Sequence, residues 1–219
     1  MFLLAVLIGI YAYIIFLLGI LEELYMPVVV SFTLLFWIAV ALWFLKIYKL
    51  NLSFSIIRTR SFPLKNPILL TLLLLLLIQA LINLVGALGP ELAFDALWYH
   101  LTFPKIYLSE HAIRFIPGGL LYYSTMPKLT EMLYVGALAI QGEILAKVIH
   151  FLFGVLRSIA IYKIGRKFFP QHIALIAVVI FYANLVVGWE SITAYIDLAR
   201  TFYEVMALWA FLLWTERNK

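Results

Sequence analysis

A chain of 219 residues in which 66% are hydrophobic and 12% charged lies far from soluble domains, which run at about 45–50% apolar and about a quarter charged. A mean hydropathy of +1.07 excludes an ordinary water-soluble globule and points to an integral membrane protein. The net charge of +5 reflects basic residues confined to particular loops, which topology explains and nucleic-acid binding does not.

The apolar runs are continuous, without the alternating pattern of barrel strands, so the expected fold class is all-α: a polytopic transmembrane helical bundle. A bilayer core takes roughly 20 residues per helix at about 1.5 Å each, so the length accommodates about six spans and one sizeable loop. Cysteine is absent, which removes disulfides, thiolate metal sites and cysteine nucleophiles.

In chain order the first segment, 2–21, opens MFLLAVLIGI without a basic flank or a small-residue cleavage site and reads as a retained helix. Further apolar segments cover 27–44, 68–88, 144–162, 173–189 and 192–214. One membrane domain, 1–219, is expected: two N-terminal spans and a loop over 1–67, then a second region over 68–214. Lys46, Lys49, Arg58, Arg60 and Lys65 follow the second span, Lys163, Arg166 and Lys167 follow the fourth, and Arg217 and Lys219 close the chain. With Glu216 their one acidic companion, these residues mark a cytoplasmic side that also holds both termini. Lys147 and Arg157 of the fourth segment are expected to snorkel toward opposite interfaces.

The connection 89–143 then faces outward. It is rich in Phe94, Trp98, Tyr99, Phe103, Tyr107, Phe115, Tyr122 and Tyr123, a composition suited to the membrane–water interface. Two interfacial helices are expected there, over 94–110 with a bend at Pro104 and over 128–140, joined by IPGGLLYYSTMP.

Acidic residues gather on this outer side: Glu91, Asp95, Glu110, Glu131, Glu143 and Glu190, with Asp197 one to two turns inside the last span. Asp197, Arg200 and Glu204 share a helix face, and charges inside a span usually face a bundle interior or a wet cavity. Two readings stand side by side. Arg200 and Glu204 form an i,i+4 pair and Asp95 caps a helix beginning at Ala96, or Asp95 and Asp197 line a polar cavity open to the outside. His100 lies near Asp95, but no His-x-x-x-His pair is present, so a histidine-built zinc site is not expected. His150 reads as a packed helix residue, and His111 and His172 as loop residues. The basic residues near the outer face, Lys105, Arg114, Lys128 and Lys147, are candidate phosphate contacts.

The strings ELAFDALWYHLTFPKIYL, IPGGLLYYSTMPKLTEMLY, GEILAKVIHFLFGVLRSIAIYKIGRKFF and SITAYIDLARTFYEVMALWAF, taken in order, resemble polytopic GT-C glycosyltransferases. They are most similar to the branch of dolichyl-phosphate-mannose–protein mannosyltransferases and aminoarabinose transferases, over about residues 68–214. The resemblance implies transfer of a sugar from a polyprenyl-phosphate carrier to an extracytoplasmic acceptor. It places the family's essential loop carboxylate at Asp95, as base or metal-orienting group. It makes Asp197 a second carboxylate, Glu131 a third, and Lys128 or Arg200 a phosphate contact, with Tyr99 and His100 beside the substrate. The one cofactor it implies is a divalent metal ion on Asp95 and Asp197. Membrane lipid is an expected partner, and a second membrane chain would supply spans that the longer relatives carry. The expected site of action is the extracytoplasmic face of the cell membrane. Two other classes compete: a lipid or solute transporter, and a non-catalytic membrane subunit.

Overall fold

A computed structural model describes residues 1–47 and 66–217. Lys49, Arg58, Arg60, Lys65 and Lys219 lie outside the described residues. All regular elements among the described residues are helical.

Helices α1 (Phe2–Ile20), α2 (Met26–Ile47) and α3 (Pro67–Ala87) follow the first three apolar segments. They have no charged residue until Lys46, and the two amides of α3 pair with each other, Gln79 Nε2 donating to Asn83 Oδ1 at 2.9 Å. In α1 the buried residues Ala5, Ile8, Tyr11, Ala12, Ile15 and Gly19 recur at three- and four-residue steps and form one stripe. Val6, Tyr13 and Leu17 stay exposed on the opposite side, as apolar residues facing lipid do. The start of α3 is set locally: Asn66 Oδ1 accepts from the backbone N–H of Ile68 at 3.0 Å and of Leu69 at 3.4 Å, and Pro67 follows it. An Asn cap with Pro at the first helical position satisfies donors that have no intrahelical partner.

After α3 come a single π-helical turn over Ala96–His100 and α4 (Thr102–Glu110), with a break at Leu101. The break falls three residues before Pro104, which has no N–H to give to the carbonyl of His100. Helix α4 closes on His111, whose φ of 60° is left-handed and whose ring stacks on Tyr25 at 4.1 Å. A 3-10 turn, Gly119–Thr125, leads to α5 (Leu129–Ile140).

Helix α4 covers the second half of the expected 94–110 and α5 nearly all of 128–140, but α5 is not a surface element. Residues Glu131 to Ala137 are all buried, and α5 packs against α1, α2, α4 and α6. Gly136 makes this possible, because a Cβ there would collide with the Tyr11 hydroxyl. That hydroxyl is itself held by Thr33 at 2.8 Å.

Helix α6 (Glu143–Phe168) runs through the middle of the molecule, against α3, α5, α7 and α9. The fifth apolar segment is broken into α7 (Gln171–Tyr182) and α8 (Leu185–Glu190), and Asn184 caps α8 through Val186 N–H at 2.9 Å. His172 is helical rather than a loop residue. The last helix is α9 (Asp197–Arg217).

Among the described residues four helices are long and apolar enough to cross a bilayer: α1, α2, α3 and α6. The chain is a helical membrane protein. At about 1.5 Å per residue, α7 spans only about 18 Å of a core near 30 Å. Helix α9 is long enough but carries Asp197, Arg200 and Glu204 in its first eight residues.

Two expectations about cations are corrected. Lys147 does not snorkel: it is 2% exposed and donates to the carbonyls of Gly86, Gly89 and Pro90 at 3.1, 2.8 and 2.8 Å. Those carbonyls end α3 or follow it; that of Gly86 also accepts from Gly89 N–H at 3.2 Å, and an ammonium with three donors supplies a partner to all three. Arg157 donates to Thr201 Oγ1 at 2.6 Å and lies 4.2 Å over the Phe181 ring, tying α6 to α9 and α7.

Candidate active site at the loop end of the bundle

The segments 89–100, 128–134 and 190–197 meet at one end of the bundle, and buried polar residues bolt them together. Glu91 is the first bolt. Its Oε1 accepts from Leu92 N–H and Ala93 N–H, both at 2.9 Å, and its Oε2 accepts from Ala194 N–H at 2.7 Å. His150 is the second, fully buried on α6. Its Nδ1–H is shared by the carbonyls of Glu190 at 2.8 Å and Thr193 at 2.9 Å, while Nε2 accepts from Leu198 N–H at 3.1 Å. That pattern defines the neutral tautomer. The Tyr134 hydroxyl adds a third tie, to the carbonyl of Tyr195.

This bolting decides where the carboxylates fall. Asp95 has helical φ and ψ of −67° and −33° and makes no side-chain cap, so its carboxylate is not spent on the turn after it. It faces the Tyr99 phenol, which burial and then the Asp95 carboxylate push well up. Tyr123 and Tyr195 share the same field, and the Tyr99 and Tyr123 rings stack at 4.5 Å.

Glu190 is the residue that sequence reasoning did not place in the site. Burial, then the negative charges of Asp197 and Asp95, raise it from the usual carboxylate range to about 7. Its Oε2 is buried with no hydrogen-bond partner. Asp95 and Asp197 therefore both act on Glu190 although 95 and 190 are far apart in sequence. One signal was available: Glu190 stands seven residues before Asp197 across a single short turn.

Because the folded protein holds the Glu190 proton more tightly than the unfolded chain, its contribution to stability is full below the ordinary glutamate range. It is lost as pH rises through about 7. The Glu190→Gln variant is expected to flatten the fall in melting temperature between about pH 5 and pH 8. An unchanged slope in a thermal titration would refute this environment for Glu190.

Beside the carboxylates sits a buried pair, His100 Nδ1 to Glu131 Oε1 at 3.0 Å, with both side chains almost fully enclosed. The His100 ring lies 5.6 Å from that of Tyr195, so the pair backs onto the site rather than entering it. Lys128, also buried, holds its ammonium 4.5 Å over the Phe103 ring. Burial lowers its pKa, and the nearby Glu131 offsets this in part. Arg200 and Glu204 form the expected i,i+4 pair at 3.0 Å and are 70% and 56% exposed. The structure thus groups Asp95, Asp197 and Tyr99 in one cluster, Glu131, His100 and Lys128 in an adjoining one, and leaves Arg200 on the open face of α9.

Among the described residues no set of three or more His, Asp and Glu side chains is placed to hold a metal ion. Were a divalent cation bound, Asp95 and Asp197 are the carboxylates that would hold it, and it would supply positive charge there.

No family model matches the chain, and neither a curated protein nor a solved structure does.

Proposed function

We propose that the chain is a membrane glycosyltransferase of the GT-C type, or the N-terminal half of one, that moves a sugar from a polyprenyl-phosphate carrier to an extracytoplasmic acceptor. The observation that carries the reading is Asp95. It is an uncapped carboxylate sharing its field with Glu190 and Asp197, at the end of the bundle that the basic residues place outside. In this reading α7 with α8 and α9 complete six spans, both termini are cytoplasmic, and the site faces outward from the cell membrane.

The chemistry asks for a base near the acceptor hydroxyl and for stabilisation of the departing phosphate. The acceptor oxygen bonds to the anomeric carbon as its proton passes to the Asp95 carboxylate. The bond from that carbon to the phosphate oxygen breaks, and the lipid phosphate leaves with its electron pair. Asp197 is the second carboxylate, Glu131 holds His100 and with it the wall behind Tyr99, and Lys128 or Arg200 meets the phosphate. A bound divalent cation would supply charge neutralisation at the phosphate. If Asp95 and Asp197 hold one, EDTA is expected to lower transfer by an order of magnitude or more, with recovery on adding magnesium. Transfer indifferent to EDTA would remove the cation from the mechanism.

One observation favours a second reading. The break between Tyr182 and Leu185 splits the fifth apolar segment into two half-helices, a device transporters use near their binding sites. Reconstituted vesicles distinguish the two readings: a transferase forms a new glycosidic bond, whereas a transporter moves its substrate unchanged.

A further inference from the structure

Between α4 and α5 the chain crosses the Asp95 end of the bundle as a strap, residues 117–127. Local hydrogen bonds give it a shape of its own. The Ser124 hydroxyl accepts from Ile116 N–H and donates to the Ile116 carbonyl, both at 3.3 Å, while Leu121 N–H donates to the Gly118 carbonyl and Met126 N–H to that of Tyr123. Ring contacts lay this unit on the turn Ala96–His100. Tyr123 stacks on Tyr99 at 4.5 Å and stands edge-on to Trp98 at 5.2 Å, and Tyr122 stands edge-on to Trp98 at 6.4 Å.

The strap has the marks of a segment that moves as one piece. Gly118, Gly119, Tyr122, Thr125, Met126 and Pro127 are all exposed, so little apolar surface is lost when it lifts. At its start an added Cβ on Gly118 or Gly119 would meet no atom within 4 Å, and the backbone there can turn without pushing on a neighbour. Gly118 has a φ of 125°, a conformation that glycine enters readily and other residues do not. Pro117 and Pro127 stiffen the two ends, which concentrates the turning at the glycine pair. Asp95 stands next to the ring contact: it is half-buried, and its carboxylate acts on both Tyr99 and Tyr123.

We propose that the strap 117–127 is a gate on the Asp95 site, shut when the Tyr123 ring lies on Tyr99 and opened by turning at Gly118 and Gly119. Mobile loops of this kind admit substrate and then shield the reacting groups from water. The gate regulates the site of the proposed transferase and rests on that reading for its purpose, whereas the closure itself involves no sugar.

The test labels carboxylates of the full chain, held in phosphatidylcholine nanodiscs, with a water-soluble carbodiimide and glycine ethyl ester, and reads each residue by mass spectrometry after digestion. Glu216, 49% exposed near the far end of α9, is the internal reference. Tyr123→Ala loses the contacts to Tyr99 and Trp98 and is expected to speed Asp95 labelling about fivefold or more relative to Glu216. Tyr123→Phe keeps the stacked ring and is expected to label as the wild type does. Gly118→Val disfavours the closed backbone while leaving every ring in place, and is expected to speed Asp95 labelling as well. Wild-type labelling of Asp95 in both Tyr123→Ala and Gly118→Val would overturn the gate, as would a Tyr123→Phe protein that labels as fast as Tyr123→Ala. Gly118→Val decides the matter if Tyr123→Ala fails to fold. Sugar transfer separates the two claims: unmoved labelling with transfer still dependent on Asp95 removes the gate alone, and faster labelling in a protein whose Asp95→Asn form transfers normally removes the transferase alone.

Discussion

Replacing Asp95 by Asn is expected to lower sugar transfer by about 10²–10⁴-fold, the usual contribution of a positioned general base, while leaving the fold in place. The two side chains have nearly the same shape, and Asp95 makes no cap that Asn would have to reproduce. The substitution removes the negative charge that Tyr99, Glu190 and Tyr195 all feel. Two readouts should therefore move together: transfer falls, and the Glu190 carboxyl titrates lower, because one of its negative neighbours is gone. A folded Asp95→Asn protein that transfers at the wild-type rate would sink the assignment of Asp95 as base.

Glu91→Ala is expected to be the most damaging single change for stability. It strips the acceptor from three backbone N–H groups, of which those of Ala93 and Ala194 are buried. At about 1–3 kcal/mol for each buried donor left unsatisfied, the cost is about 2–5 kcal/mol. That corresponds to a melting temperature lower by roughly 5–15 °C in a chain of this size. The change also unties the turn before Asp95 from the turn before Asp197, so transfer should fall more steeply than stability alone requires. Glu91→Gln keeps one carbonyl oxygen and is expected to sit between wild type and Ala. An alanine variant that melts with the wild type would show that Glu91 is not the bolt described.

The helices were the most legible part of the chain. Apolar runs without charge have few folded alternatives in a bilayer, since every backbone group must be satisfied within the segment. The limits of α1, α2 and α3 accordingly fall close to the apolar segments 2–21, 27–44 and 68–88. Asp95 stood out as a candidate because it follows the third apolar segment closely and sits among aromatic residues.

Residues whose role depends on distant backbone were not legible. Nothing near Lys147 in sequence shows that its ammonium would close the end of α3 rather than reach an interface. Likewise, His150 sits in an apolar run with no hint that it would hold the 190–198 turn through both ring nitrogens. The rings between Phe94 and Tyr123 suggested an interfacial address for the whole outer segment, both helices included. Packing overrode composition for α5, because Gly136 lets it approach α1 and α2 closely enough to be buried. The α7–α8 break was hidden because Asn184, its cap, is a single polar residue in an otherwise apolar stretch.

The central claim is that this bundle handles a polyprenyl-phosphate sugar at the Asp95 end. The most direct test is native mass spectrometry of the protein released gently from its own membrane. A chain of 25.2 kDa carrying a polyprenyl phosphate or its glycosylated form is the predicted result, with or without a second membrane chain attached. A chain that retains only bulk phospholipid would contradict the account and leave Asp95 without its chemistry.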